Sequence, residues 1–296
     1  MEECDANCES CATKGTCTDP RNEMDAMARA VSARMGRVKH KIMVASGKGG
    51  VGKSTVAVNL ARSLQARGYR VGVMDADITG PSTAKLLGVE GERLSAGPGG
   101  IEPVDSKGLK VISMAFALSD SGSAIVWRGP MKMAAIRQFL SDVSWGDLDY
   151  LIIDLPPGTS DEPLSVVNLL ADLNGVVIVT TPQEVALLDS RKAVNMAKSM
   201  KVPILGIVEN MSGLVCPHCG EVIEIFKIGG GKRAAQELGV PFLGAIPIDP
   251  EVAPLGDDGV AFVERRTAAA ESFEKVVERI LEEVEEVEET RKATLR

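Results

Sequence analysis

Aromatic residues, histidines and long apolar runs are all scarce in this sequence. Aromatic residues make up 3% of its 296 positions, and there are two histidines. A folded core must therefore be built from aliphatic side chains, over a length that suits one large α/β domain or two small ones. No apolar run approaches the ~18 residues of a membrane-spanning helix, and the N-terminus lacks a signal-type apolar segment. We therefore expect a globular protein of the cytoplasm.

Positive charge is also in short supply. The chain carries 33 Lys and Arg against 41 Asp and Glu, a net charge of −8. This excess disfavours non-specific binding to nucleic acid or anionic lipid, and no basic tract offsets it. Even the amphipathic C-terminal segment 273–287 has an acidic outer face. We therefore expect neither a nucleic-acid nor a membrane partner.

The most informative motif is a glycine-rich loop that fits G-x-x-x-x-G-K-S/T. It lies between the apolar run 42–45 and a helical pattern over 55–66, which is the strand–loop–helix context that a phosphate-binding loop needs. Backbone N–H groups of such a loop surround phosphates, Lys53 reaches the terminal phosphates, and the Ser54 hydroxyl binds Mg²⁺. A chance glycine-rich turn is the weaker interpretation. The predicted nucleotide loop comprises Gly47, Lys48, Gly49, Gly50, Val51, Gly52, Lys53, Ser54 and Thr55.

Carboxylates follow two of the predicted strands. Asp75 and Asp77 come after the second strand, at the edge where open α/β sheets bind ligands. Asp154 ends an apolar strand in the Walker B manner, which places a carboxylate near Mg²⁺. An Asp at a strand end can instead cap the following turn. The sequence predicts a magnesium–nucleotide site here.

Two further segments complete the predicted nucleotide site. The run Pro156-Pro157-Gly158-Thr159 is typical of a switch loop that senses the γ-phosphate, with Gly158 in contact with it. Asn210 ends a strand in an amide that can both donate to and accept from an adenine edge. A simple turn residue is the competing interpretation of Asn210.

Six cysteines fall into two groups, and structural disulfides are disfavoured in a cytosolic chain. Cys216 and Cys219 form an isolated Cys-x-x-Cys, half of the ligand set of a [4Fe–4S] cluster or Zn²⁺. A zinc knuckle and a redox dithiol are the alternatives. A full set of four within one chain is formed by Cys4, Cys8, Cys11 and Cys17. Residues 1 to about 22 have no apolar period, so a bound metal would have to order them.

Apolar runs alternate with helical segments along most of the chain. This pattern predicts an α/β fold of the P-loop NTPase type, with a mostly parallel twisted sheet and helices on both faces. Residues 1–37 are predicted to be a cysteine-rich tail with a short helix, and residues 38–296 the ATPase domain. The expected strands are 41–46, 70–74, 150–153, 175–179, 204–208 and 242–246, with a hairpin over 101–114. The expected helices are 131–141, 162–173, 185–199, 230–238 and the C-terminal segment.

The motifs together resemble a known family. Lys48 resembles the extra lysine in the P-loop of MinD, ParA and the nitrogenase iron protein. Segments 77–82, 128–131 and 155–162, with the Cys-Pro-His-Cys at 216–219, resemble the Mrp-type (ApbC-like) iron–sulfur cluster carrier ATPases. The resemblance runs from about Lys39 to Val263.

The resemblance implies specific roles. Lys48 would reach the partner's nucleotide across a homodimer, Asp77 would orient the attacking water, and Asp75 would lie near the Mg²⁺ shell. The implied activity is slow, regulatory ATP hydrolysis that controls delivery of a [4Fe–4S] cluster, shared across the dimer, to apo-proteins. The run 8–17 resembles the N-terminal ferredoxin-like site of the eukaryotic cytosolic branch, although Cys4 departs from its spacing. That set is a candidate for a second [4Fe–4S] cluster, with Zn²⁺ or a free tail as alternatives.

Two other functions use the same nucleotide site. A positioning ATPase of the ParA/MinD type needs a DNA or membrane surface, which the acidic chain disfavours. An electron-donating reductase like the nitrogenase iron protein also bridges a cluster across a dimer, but it keeps the cluster through redox cycles. Loss of the cluster to an acceptor separates a carrier from a reductase.

Overall fold

The strands come from the short apolar runs of the sequence, and most belong to one sheet. The computed structural model describes residues 20–117, 127–159, 161–170, 172–216 and 218–294. The strands in these ranges are β1 Val38–Ser46, β2 Val71–Asp75, β3 Ser95–Gly97, β4 Gly100–Glu102, β5 Val104–Ser106, β6 Leu109–Ile112, β7 Leu148–Asp154, β8 Gly175–Thr180, β9 Ile204–Glu209, β10 Leu214–Val215, β11 Val222–Ile223 and β12 Phe242–Ala245.

Helices connect the strands. The α-helices in the described ranges are α1 Pro20–Met35, α2 Lys53–Ala66, α3 Thr83–Leu86, α4 Gly129–Ser141, α5 Asp161–Leu169, α6 Glu184–Ser199, α7 Gly230–Leu238, α8 Val252–Asp257 and α9 Ala268–Thr294. Two short 3-10 helices cover Met114–Ala117 and Phe262–Glu264. No helix in the described ranges is both long enough and apolar enough to span a membrane.

The main sheet has the order β12-β9-β8-β1-β7-β2-β6-β5. Every neighbouring pair is parallel except β5 and β6 at the edge. Side chains of β1 alternate between the two faces, with Ile42 and Val44 in one buried cluster and Met43 and Ala45 in the other. Helices α2 and α9 cover the first face, and α1, α4, α6 and α7 cover the second. The predicted parallel α/β architecture is confirmed.

The predicted strands and helices are present, and two of them are shorter than expected by three residues or more. The hairpin expected over 101–114 is shorter, because Ile101 belongs to a separate two-stranded sheet of β3 and β4. Pro103 lies between β4 and β5 and has no N–H for a ladder, so the strand is interrupted there. The helix expected over 162–173 ends at Leu169. The C-terminal amphipathic helix is confirmed as α9, with its apolar stripe buried.

Helix α1 is attached to the body by packing. Val31 and Met35 are buried and belong to the cluster that includes α4 residues. The domain boundary at residue 37 stays a prediction. The four N-terminal cysteines lie outside the described residues.

Candidate functional site

The phosphate loop joins the central strand to a buried helix. Strand β1 ends at Ser46 and helix α2 begins at Lys53, so residues 47–52 form the turn between them. Gly52 has φ +84°, and a Cβ there would lie 2.2 Å from the amide nitrogen of Asn210. A Cβ on Gly47 would lie 2.1 Å from the carbonyl carbon of Asp189. Glycine is therefore required at these positions by backbone conformation and by close contact with α6 and Asn210.

Lys53 and Asp154 form a buried ion pair below the loop. The Lys53 Nζ lies 2.5 Å from Asp154 Oδ1 and donates to Ser54 Oγ at 3.1 Å. Lys53 is 6% exposed and Asp154 is fully buried. Burial raises the pKa of Asp154 against the opposing attraction of Lys53. The ammonium that a triphosphate would attract is therefore held in place by a carboxylate.

The other oxygen of Asp154 is buried and has no hydrogen-bond partner among the described residues. An orphaned buried carboxylate oxygen costs free energy unless a ligand satisfies it. Mg²⁺ prefers hard oxygen ligands, which Asp154 and the nearby Ser54 hydroxyl supply. The residues present thus fit a magnesium ion at this end of the sheet.

The two aspartates after β2 have different environments. Asp75 is buried, and its carboxylate accepts hydrogen bonds from the Asp77 N–H at 3.1 Å and from the Thr83 N–H and Ser113 hydroxyl at 3.2 Å. Burial, followed by the charge of Asp154, raises the pKa of Asp75 to about 7. Asp77 is half-buried and accepts from the Gly80 N–H at 3.1 Å. Asp75 therefore orders the loop that presents Asp77.

A cavity of about 420 Å³ opens in front of these groups. Its lining includes the phosphate loop, Asp77 and Pro157 of the predicted switch loop. Sequence reasoning missed two charged residues of this lining, Lys85 on α3 and Asp257 on α8. Lys85 lies just after the 77–82 motif and could have been found by proximity, whereas Asp257 gives no local signal. The volume lies within the range of small-molecule sites.

Gly158 and Asn210, both predicted to contact the nucleotide, form hydrogen bonds at the phosphate loop or directly before it. The Gly158 N–H donates to the Ser46 carbonyl at 2.8 Å, which places the switch segment beside the start of the loop. The Asn210 side-chain amide donates to the Val51 carbonyl at 2.9 Å. The adenine contact of Asn210 stays a prediction.

The Cys-x-x-Cys lies in the turn of a small hairpin formed by β10 and β11. Cys216 is half-buried and Cys219 is exposed, and both thiols are free. The turn is closed by bonds from the Cys216 N–H to the Glu221 carbonyl and from the Gly220 N–H to the Cys216 carbonyl, both 2.9 Å. The N–H groups of Cys219 and His218 lower the pKa of the Cys216 thiol because they stabilise the thiolate. Such a thiol is suited to bind metal.

The phosphate loop and the segment that follows the hairpin line one cavity. Half-buried Lys48 lines a cavity of about 640 Å³ with the start of α6 and residues 224–227, which follow the hairpin. Several apolar side chains on these segments are exposed. They are Val185 and Leu188 on α6, Val222 and Ile223 on β11, and Ile225 and Ile228 after it. Two of them, Val185 and Ile225, line the cavity.

A match to a family model decides the family. The model described as the NUBPL iron-transfer P-loop NTPase of the ParA group matches residues 37–283. The chain belongs to this family. The resemblance to iron–sulfur carrier ATPases is thereby confirmed.

Relatives agree with this membership. The chain is 51% identical over 286 residues to the iron-sulfur cluster carrier protein of Methanocaldococcus jannaschii, covering 96% of this chain and 99% of that protein. It is 46% identical over 262 residues to the cytosolic Fe-S cluster assembly factor CFD1 of Saccharomyces cerevisiae, covering 84% and 89%.

Solved structures show the same fold. A nucleotide-binding protein of Archaeoglobus fulgidus in complex with ADP has a TM-score of 0.72 at 40% identity, covering 81% of this chain and 95% of that one. The cell-division ATPase MinD of Pyrococcus furiosus has a TM-score of 0.60 at 24% identity, covering 82% and 98%. The MinD likeness concerns the fold alone.

Proposed function

We propose that this protein is an ATP-dependent iron–sulfur cluster carrier, which binds a [4Fe–4S] cluster and transfers it to apo-proteins. The observation that carries the proposal is the shared surface on which Lys48 of the phosphate loop and the segment after the Cys-x-x-Cys line one cavity. The family and the names of its relatives support the cluster as cargo. The name of the yeast relative supports the cytosol as the compartment.

The cysteine pair supports a cluster that bridges a homodimer. Cys216 and Cys219 supply two ligands, and no group of three or more His, Cys, Asp or Glu side chains suited to a metal occurs in the described ranges. A [4Fe–4S] cluster takes four thiolates, so a second copy of the chain is the simplest completion. A second copy would also cover exposed apolar side chains on β11 and at the cavity that Val185 and Ile225 line.

The nucleotide site supports control of this cargo by ATP. Lys53 and the loop N–H groups would bind the phosphates, while Ser54 and Asp154 would hold Mg²⁺, which neutralises phosphate charge when bound. Asp77 would orient the attacking water, and the switch loop with Gly158 would sense the γ-phosphate. Lys48 would reach the partner's nucleotide, so that ATP closes the dimer and slow hydrolysis relaxes it.

The N-terminal cysteines extend the proposal. Four thiolates within fourteen positions of one chain would bind a second [4Fe–4S] cluster without a partner. Iron counting after their replacement by Ser, with the hairpin cysteines intact, tests this second site. Neither nucleic acid nor membrane is part of the proposed activity.

Anaerobic reconstitution followed by transfer tests the function. The protein is loaded with iron and sulfide, and an apo-aconitase-type acceptor is assayed for regained activity with and without Mg-ATP. We expect transfer from the native chain and much weaker transfer from the variant with Ser at both 216 and 219. A cluster that stays bound through cycles of reduction and oxidation in the presence of the acceptor would contradict a carrier and favour a reductase.

A further inference from the structure

Glu209 is a buried carboxylate that the proposed nucleotide and cluster chemistry does not use. It is the last residue of β9 and is fully buried. It lies directly before Asn210, whose side chain contacts the phosphate loop. A charge buried this deeply is retained only where other groups satisfy it.

The Glu209 carboxylate binds both ends of the excursion that carries the cysteines, residues 211–229. One oxygen accepts from the Ser212 hydroxyl at 2.5 Å and from the Gly229 N–H at 2.9 Å. The other oxygen accepts from the Gly231 N–H at 2.5 Å. Ser212 is the second residue of the excursion, and Gly229 and Gly231 lie where it ends and α7 begins. One side chain thus closes the base of the cysteine hairpin.

Both sides of this base contain residues with positive φ. Positive φ values occur at Met211 and Gly213 on the entering side, and at Lys227 and Gly229 on the leaving side. Non-glycine residues adopt this conformation rarely, so Met211 and Lys227 are held there by their surroundings. The Glu209 carboxylate accepts hydrogen bonds from Ser212, between the first pair, and from Gly229 of the second pair. The restrained backbone on both sides of the excursion therefore lies at this one side chain.

We infer that Glu209 is a positioning residue that couples nucleotide occupancy to the cysteine hairpin. Phosphates bound in the loop would shift the Val51 carbonyl, and Asn210 would transmit the shift to Glu209. The carboxylate would then reorient the excursion and the two thiols it carries. The inference rests on the proposed ATP control of the cluster site.

A direct route is the competing explanation. Lys48 and residues 224–227 line the same cavity, so the loop could act on the excursion across that surface. The two routes differ in their dependence on the Glu209 carboxylate. Glu209→Gln keeps the size of the side chain but turns one acceptor oxygen into a donor, which cannot accept from the N–H groups it faces.

Thiol labelling of the metal-free full chain separates the routes. The tryptic peptide 202–227 contains Cys216 and Cys219 and no other cysteine, so mass spectrometry isolates their alkylation by iodoacetamide. In the native chain we expect Mg²⁺ with a non-hydrolysable ATP analogue to change the labelling rate about fivefold or more. In Glu209→Gln the analogue should still bind, yet the rate should change less than about twofold.

Two further variants keep the test decisive. Ser212→Ala removes one of the three hydrogen bonds to Glu209 and should weaken the response of the labelling rate to nucleotide. This variant serves as the test if Glu209→Gln does not fold. Glu221→Gln removes an exposed negative charge from the same excursion and should respond like the native chain. A native response in both Glu209→Gln and Ser212→Ala would overturn the relay while leaving ATP control intact. An unchanged labelling rate in the native chain on nucleotide binding would overturn the coupling itself. Failed cluster transfer would instead count against the carrier function.

Discussion

Replacement of Lys53 by Ala should destabilise the protein in a pH-dependent way, even without nucleotide. The substitution leaves the fully buried Asp154 without its partner, while its other oxygen already has none. An unpaired buried carboxylate lowers the stability of the folded state by several kcal/mol, but the carboxylate limits this loss by taking up a proton. The charge state of Asp154 therefore sets the size of the effect.

The free energy needed to protonate Asp154 is an upper limit on the stability that Lys53→Ala loses in this way. Protonating a carboxyl with an ordinary pKa near 4 costs about 4 kcal/mol at pH 7 and about 1–2 kcal/mol at pH 5, at 1.36 kcal/mol per unit. The actual losses should lie below these limits, because burial already raises the pKa of Asp154 in the native chain. The loss of stability should nevertheless be clearly larger at pH 7 than at pH 5.

Urea unfolding at both pH values measures the effect. Lys41→Ala is the matched control, since Lys41 is also fully buried but its partner Asp172 is 58% exposed and stays solvated. The stability lost in Lys41→Ala should not depend on pH between 5 and 7. The double variant Lys53→Ala with Asp154→Asn should recover most of the stability but should not bind ATP productively. Equal losses for Lys53→Ala at pH 5 and pH 7 would refute the buried-pair argument.

Three other substitutions test the nucleotide site. Asp77→Asn should keep ATP bound but slow hydrolysis about a hundredfold, because an amide cannot accept a proton from water; unchanged turnover in a phosphate-release assay would contradict this. Lys48→Ala should preserve folding and reduce hydrolysis at least about tenfold, because it removes a charge supplied across the dimer. The control Lys192→Ala, at an exposed lysine, should leave the hydrolysis rate unchanged. Asp75 has a pKa of about 7 when folded, so the folded state holds its proton more tightly than the unfolded state. Stability should therefore fall as the pH rises from about 4 to about 7, and Asp75→Asn should flatten that slope in urea titrations; an unchanged slope would assign the pH dependence to other groups.

The elements of the fold were predictable because their signals are local. Continuous apolar runs such as 150–153 and 175–179 indicate buried parallel strands wherever they occur. The loop at 47–54 specifies its own strand and helix through glycine and lysine spacing. Both kinds of signal lie within about fifteen residues of sequence, so no tertiary knowledge is needed to read them.

The contacts that shape the candidate site are not local. Lys53 and Asp154 are 101 positions apart, and Asn210 and Val51 are 159 apart. Motifs place Asp154 near Mg²⁺, but they do not show that it pairs with Lys53 in a buried position. Likewise, the sequence predicts Asn210 as an adenine contact and gives no sign that its amide holds the loop. These contacts arise where separate strands end at one edge of the sheet, which periodicity does not reveal.

Iron stoichiometry tests most directly whether two chains share one cluster through Cys216 and Cys219. The measurement uses the full chain with Ser at 4, 8, 11 and 17, reconstituted anaerobically and analysed for iron and mass. Two thiolates per chain predict about four iron atoms per dimer, dimerisation on loading, and no bound iron after Cys216→Ser and Cys219→Ser are added. A monomer that holds a complete cluster, or a cluster that survives those two substitutions, would contradict the account.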